Sequence, residues 1–173
     1  MRREFEKLVR EYQNRIFNFA CYCVGNRDEA QDVTQEVLLK LWRNLEKLEP
    51  AGTWPWLIRV TRNASIDALR KRGSYRALVK EDPEGEATDR MWSTAPSPDA
   101  SVERADFQRH LRAALSEVRE PYRSIVVLRE IEDLKYEEIA AALELPLNTV
   151  KVYLHRGRRM LRQRLRGYVS HEA

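Results

Sequence analysis

No apolar run in the sequence approaches the ~20 residues that a helix needs to cross a bilayer. The chain opens on Met1-Arg2-Arg3-Glu4-Phe5-Glu6-Lys7, a charged helical stretch without the apolar centre of a secretory leader. Both absences lead to the expectation of a cytoplasmic protein. Cysteine is scarce too, with Cys21 and Cys23 the two in the chain. Two residues apart on a helix, they do not share a face, so neither a disulfide nor a two-point metal clasp is expected. His110, His155 and His171 lie far off in sequence, which leaves a structural zinc site short of ligands. No phosphate-cradling glycine loop, metal-ligand cluster or nucleophile–base spacing occurs, so an enzyme, a metal or a cofactor has no support.

What is present suits one ordinary domain or two small ones: 173 residues, 43% hydrophobic and 34% charged. The net charge of +4 is modest, but its distribution is uneven. Residues 1–72 carry 14 basic and 10 acidic side chains, residues 73–104 carry 4 and 7, and Leu147 to Tyr168 carry seven basic and no acidic ones. A single-sign block on a helix implies an anionic partner more readily than a merely solvated face.

The patterning is helical throughout and strand signals are weak. A first helix runs from about Glu4 to Cys23 and stops near Gly25. Asn26 offers an N-cap with Glu29 at capping-box spacing, and a second helix then reaches about Leu48. Thr53 can cap a third helix to about Arg72, with Pro55 in its first turn. Residues 73–104, including Lys80 to Glu86 and Ser93 to Pro98, cannot bury enough apolar surface to order themselves and read as a flexible acidic linker. Its isolated Met91 and Trp92 suggest docking on a partner. Helices resume from about Pro98 to Val118, Tyr122 to Glu132, Lys135 to Leu143, and from Leu147 onward. The expected fold is all-α: two small helical domains joined by the linker.

The last helix has an apolar line of Leu147, Val150, Leu154, Leu161, Leu165 and Tyr168, completed by Gly157. Opposite lie Val152, Arg156 and Arg159, flanked by Lys151, His155, Arg158 and Arg162. The preceding helix has its own stripe, Tyr136, Ile139, Ala140 and Leu143. Two helices joined by a tight turn, the second basic outward, make a helix-turn-helix whose second helix fits the major groove of DNA. The arginines and Lys151 suit phosphates, while Lys151, Val152 and His155 come first along the face and could read bases; Arg156 could do either. The alternative is a basic solvated helix in an unrelated bundle.

The second helix buries Val33, Val37, Leu38, Leu41 and Leu45 and turns Asp32, Gln35, Glu36, Leu39 and Arg43 outward. An acidic stripe holding an exposed leucine suits a basic protein surface around a shallow apolar pocket, although outer helix faces are often acidic without any partner. In the third helix, aromatics are interleaved with arginines, an arrangement that suits unstacked single-stranded bases. Trp56, with Leu57, Val60 and Ala64, reads as core, while Trp54, at the loop edge, is open to either role. Arg59, Arg62, Asn63 and Arg70 share a polar face that could contact a backbone or base.

Three segments resemble one family, the extracytoplasmic-function (ECF) or group IV sigma factors of bacterial RNA polymerase. Asp28 to Trp42 looks like their core-polymerase-binding helix. Trp56 to Asn63, with Asp67, Arg70, Lys71 and Arg72, resembles their −10 region. Leu128-Arg129-Glu130, Tyr136 to Ala140, Thr149-Val150-Lys151 and Leu154 to Arg158 resemble their −35-reading domain. The resemblance implies domains at 1–72 and 105–173, with 73–104 threading between them towards the RNA exit path. It implies that Asp32, Gln35, Glu36 and Leu39 grip the β′ clamp helices of core polymerase. Trp54, Arg59, Arg62, Asn63 and Arg70 would serve the −10 strand, with the loop Glu46 to Thr53 capturing a flipped base. Lys151, Val152, His155, Arg156, Arg158 and Arg159 would serve the −35 element. Core RNA polymerase, its β flap included, promoter DNA and an anti-sigma factor, in many relatives membrane-bound, are the implied partners.

Four positions depart from the family pattern: Lys135 stands where a capping hydroxyl is usual, which predicts a frayed helix start, Glu144 and Asn148 stand where glycine is common, and Val152 replaces a commonly polar position of the −35 reader. Asn tolerates a positive φ better than Glu does. The competing reading is a self-sufficient helix-turn-helix regulator, which would need neither the acidic stripe nor the aromatic-basic segment.

Overall fold

The computed structural model describes residues 1–78 and 102–169, with side chains from 1 to 73 and from 104 to 166. Residues 79–101 of the expected linker, Met91 and Trp92 included, lie outside the described residues. Among those described are seven α-helices and no strand: α1 (Arg2–Val24), α2 (Arg27–Asn44), α3 (Pro50–Leu78), α4 (Val102–Ser116), α5 (Tyr122–Glu130), α6 (Tyr136–Leu143) and α7 (Leu147–Val169), with a 3₁₀ turn at Leu45–Lys47.

The first turn follows from two residues. Gly25 takes φ 70 and returns its N–H to the Cys21 carbonyl, a left-handed stop that a side chain would strain. Asn26 then accepts the Glu29 N–H at 3.0 Å and starts α2. This brings α1 and α2 together with α3 around one apolar core of Ile16, Ala20, Cys21, Val24, Val33, Val37, Leu41, Leu57 and Ala64.

Thr53 is not the cap expected of α3. The helix starts at Pro50, whose missing N–H costs nothing in a first turn. Thr53 lies within the helix and donates its hydroxyl back to the Glu49 carbonyl at 3.0 Å. The loop expected from Glu46 to Thr53 is therefore much shorter, since the 3₁₀ turn takes its start and α3 its end. Nor does α3 stop at Arg72, because Gly73 keeps out of the left-handed region and the helix continues to Leu78.

The second core gathers Leu115, Ile125 to Leu128, Leu134, Ile139, Ala142, Leu143, Val150 and Leu154 from α4–α7, and it takes in Phe19, Cys23 and Ile58 from α1 and α3. The two halves therefore share one continuous apolar seam. Large side chains buried there, such as Phe19 and Ile58, each gain ~1.5–3 kcal/mol relative to exposure. Cys21 and Cys23 point into different cores, as their spacing requires. Burial pushes the Cys21 thiol up to about 12, partly opposed by Arg112 and Arg27, and raises the Cys23 thiol as well.

Arg123 of α5 is the buried charge at the seam. Its guanidinium donates to the Val118 carbonyl at 2.7 Å, to the Ser116 carbonyl at 2.7 Å, and across the seam to the Cys23 carbonyl near the end of α1. A cation at a helix C-terminus is favourably placed against the dipole. Beside it, Ser124 donates to the Glu120 carboxylate at 2.7 Å.

The helix-turn-helix holds together at its turns. Lys135 has no side-chain cap to offer, yet its N–H donates to Glu138 Oε2 at 2.6 Å, half of a capping box, so the start of α6 is anchored rather than frayed. Glu144 ends α6 at φ 54 in the left-handed region. Asn148 does not share that conformation; it sits in the first turn of α7 with negative φ. At Gly157, α7 crosses α5 so closely that a Cβ would lie 2.5 Å from Val126 Cγ2 and 3.1 Å from the Tyr122 carbonyl oxygen.

Candidate polymerase and nucleic-acid interfaces

On α2, Asp32, Gln35, Glu36, Leu39 and Arg43 all face outward, as the periodicity predicts. Leu39 is 58% exposed and Trp42 42%. Trp42 lies one turn beyond Leu39 on the same stripe and rests edge-on against Phe5 at 5.0 Å. The sequence reading gave it no role, although its i+3 spacing from Leu39 was the available signal. Two apolar side chains left in water beside Asp32 and Glu36 form a small mixed patch of the kind that marks a protein contact. Glu36 pairs with Lys40 at 2.6 Å, an exposed ion pair of little stabilising value.

The −10 candidates of α3 are held differently. Asn63 is exposed, and Arg70 is paired at 3.7 Å with Asp67 one turn before it. Arg59 and Arg62 instead reach the other half of the chain: Arg59 pairs with Glu144, and Arg62 lies 4.0 Å from Glu120. Trp54 stacks on Tyr12 at 5.4 Å, and the Arg15 guanidinium covers its ring at 3.8 Å. Arg15 itself pairs at 3.3 Å with Glu132. Trp54 thus packs against both cores. Its indole Nε1 and the Nε of Arg59 are buried without a hydrogen bond, as is the Nε of Arg62, which has only the 4.0 Å approach to Glu120. Each such donor costs ~1–3 kcal/mol, so the seam is polar-deficient where these three residues meet it. Beside the turn before α3, Glu4, Lys7, Leu8, Leu45, Leu48, Pro50 and Thr53 line a shallow pocket of about 100 Å³.

On α7, Lys151, Val152, His155, Arg156 and Arg159 are exposed, while Val150, Leu154 and Gly157 are buried. The helix is therefore split into an inner apolar and an outer basic face. Arg156 leans on the Tyr122 hydroxyl at 3.5 Å, and that hydrogen bond lowers the phenol's pKa. Arg158 is set apart from its neighbours. It turns to the flank and grips Glu130 through Nε at 2.6 Å and Nη2 at 2.5 Å, which ties α7 to α5. Both nitrogens converge on one carboxylate oxygen, a charge-assisted contact that helps to orient α7 against α5.

The two halves of the chain match known sequence families. The family model of Sigma-70 region 2 matches residues 8–75, and that of Sigma-70, region 4 matches residues 108–161. The ECF RNA polymerase sigma factor SigE of Mycolicibacterium smegmatis is 35% identical over 170 residues, 98% of this chain and 64% of the relative, so this chain spans a little under two thirds of its length. The RNA polymerase sigma-H factor of Pseudomonas aeruginosa is 30% identical over 161 residues, 91% of this chain and 83% of the relative. In fold, the chain is similar to the sigma factor RpoE of Bartonella quintana, solved with the anti-sigma factor NepR, with a TM-score of 0.74 at 22% identity over 94% of this chain and 97% of that one. The chain belongs to the extracytoplasmic-function group of the sigma-70 family, initiation factors rather than enzymes, which direct RNA polymerase to specific promoters.

Proposed function

We propose that the chain divides this work among three helices. The α2 stripe of Asp32, Gln35, Glu36 and Leu39, extended by Trp42, docks on the β′ clamp helices of core polymerase. The α3 face of Trp54, Arg59, Arg62, Asn63 and Arg70 takes the −10 strand, and a flipped base enters beside the short turn before α3. The outer face of α7 reads the −35 element, with Lys151, Val152 and His155 nearest the base edges, Arg156 on a base or phosphate, and Arg159 on phosphates. Arg158 acts there by holding α7 in place. Domain limits near residues 78 and 102 fit the helices better than 72 and 105, with the stretch between them threading towards the RNA exit path and the β flap receiving the −35 domain.

One observation carries this reading: an acidic stripe with exposed Leu39 and Trp42 and a basic recognition face free of acidic residues occur on opposite halves of one small chain. A self-sufficient regulator has no use for the first. An anti-sigma factor is the expected restraint, since the Bartonella relative of similar fold is described in complex with one. No helix among the described residues is long and apolar enough to cross a membrane, and we place the protein in the cytoplasm, where polymerase is.

Run-off transcription with purified core polymerase and genomic promoter fragments tests the assignment. Initiation should depend on the added chain. Changing Asp32 and Glu36 together to Lys should abolish core binding while duplex binding by the α4–α7 half persists. Duplex footprinting without polymerase, together with no initiation from any fragment, would sink the reading in favour of a self-sufficient regulator.

A further inference from the structure

Glu144 sits in a conformation that suits glycine, with φ 54 and ψ 44 at the end of α6. Strain of this kind persists where a side chain has work to do. Its carboxylate leaves the helix-turn-helix and pairs with Arg59 of α3. Two more acids of the same half do likewise: Glu120 faces Arg62 at 4.0 Å, and Glu132 holds Arg15 at 3.3 Å while Arg15 covers Trp54. Glu132 also precedes the other strained non-glycine residue, Asp133 at φ 53. Acids from three separate turns therefore converge on the cations and the indole of one surface.

We infer that the chain latches itself shut, with Glu144 and Glu120 on the arginines of the proposed −10 surface of α3 as carboxylate stand-ins for DNA phosphates, and Glu132 holding Arg15 of α1 over Trp54 of that surface. The occupant of that surface is the chain's own α4–α7 half, and the masking rests on the assignment of Arg59 and Arg62 proposed above. A guanidinium accepts carboxylate and phosphate in the same forked geometry, so the two partners compete for the same donors. The apolar seam of Phe19, Cys23 and Ile58 and the Arg123 bond to the Cys23 carbonyl hold the halves together. The unpartnered Nε1 of Trp54 and Nε of Arg59 oppose them, and separation frees both for water or DNA.

Masking is selective. Lys151, Val152, His155, Arg156 and Arg159 stay exposed in the closed chain. Yet the closed form cannot serve a whole promoter. Elements centred near −35 and −10 lie about 25 base pairs, or roughly 85 Å, apart along DNA at 3.4 Å per step. A compact chain of this length has a radius of gyration of only ~16 Å. The working form must open.

Cys23 reports the opening. It is buried in the seam with its sulfur 4.0 Å from the Ser124 hydroxyl oxygen. In the full chain carrying Cys21→Ala, labelling of this single thiol by dithiobis-nitrobenzoate measures how often the halves part. Adding Glu132→Ala and Glu144→Gly should speed labelling about 3- to 10-fold, the effect of losing two partly exposed ion pairs, with no fall in thermal midpoint. The same pair of changes should tighten binding of a fluorescein-labelled, mixed-sequence 15-nucleotide single strand. An unchanged labelling rate overturns the latch, as does a faster rate that merely tracks a lower thermal midpoint. Faster labelling without tighter strand binding keeps the latch and overturns the assignment of Arg59 and Arg62 to DNA.

Discussion

Changing Gly157 to Ala sets two effects of opposite sign against each other. Alanine is the better helix former by ~1 kcal/mol, and Gly157 lies well inside α7, so propensity alone predicts a gain. The packing predicts a loss. An added Cβ would lie 2.5 Å from Val126 Cγ2, a fully buried methyl on α5, and 3.1 Å from the Tyr122 carbonyl oxygen. The methyl could be accommodated by a rotamer change only at the expense of its own packing. The carbonyl belongs to the backbone of α5 and cannot swing aside. Relief requires α7 to lift from α5, and overpacking of this kind costs ~1–3 kcal/mol. The two terms sum to a net loss of roughly 0–2 kcal/mol, which for a chain of this length lowers the thermal midpoint by up to roughly 8 °C.

Binding should suffer out of proportion. Lifting α7 pulls Arg156 from the Tyr122 hydroxyl and Arg158 from Glu130, contacts that orient the basic face. Gly157→Ala should therefore weaken −35 duplex binding more than its stability loss explains. Calorimetry and duplex titration well below the midpoint give the two numbers. Adding Val126→Ala removes the closer clash and leaves the carbonyl, so the double variant should show a favourable coupling of at least ~0.5 kcal/mol. A midpoint equal to or above that of the parent, with duplex affinity intact, would refute the close-crossing account of α5 and α7.

Other consequences are as specific. Arg123→Lys keeps the charge but loses the fork that serves the carbonyls of Ser116, Val118 and Cys23; it should cost about 2–4 kcal/mol in urea unfolding and speed Cys23 labelling, whereas a change below ~0.5 kcal/mol would discard the fork. Cys21 is neutral in the fold to about 12 but ionises near 9 once unfolded, so the unfolded chain binds fewer protons above pH 9. Stability present below pH 9 is then lost as pH rises towards 12, by at most ~1.4 kcal/mol per pH unit from this thiol, and Cys21→Ala should flatten that part of the pH profile. An identical slope in the variant would contradict the burial of the Cys21 thiol.

The fold could be read from the sequence wherever its causes are local. Gly25 and Asn26 set the first turn by their own φ and side chain, and the Cys21–Cys23 spacing placed the thiols on different faces. The inner and outer faces of α7 followed from periodicity. Thr53 misled because a capping residue type says nothing of a proline three positions earlier that starts the helix better. Asn148 misled in the same way, since the left-handed residue of the turn proved to be the less suitable Glu144. The seam itself left no trace in periodicity. Arg123 meets Cys23 across 100 positions, Arg15 meets Glu132 across 117, and Arg59 meets Glu144 across 85. Tyr12 beneath Trp54 belongs with them, because nothing local to either ring announces the other.

The placement of the seam constrains the order of events at a promoter. The seam uses α1 and α3 on one side and α4, α5 and α6 on the other, while the outer stripe of α2 stays clear of it, with Leu39 and Trp42 in water. On the assignments proposed above, polymerase can dock on α2 before the chain opens, and the −10 surface comes free afterwards. Recruitment ahead of opening has a kinetic signature. Glu132→Ala with Glu144→Gly should leave core affinity within about twofold of the parent, since neither residue is near α2. The same changes should shorten the lag between mixing holoenzyme with promoter and the first open complex. If they instead raise core affinity by the factor that speeds Cys23 labelling, opening precedes docking, and polymerase selects the open chain.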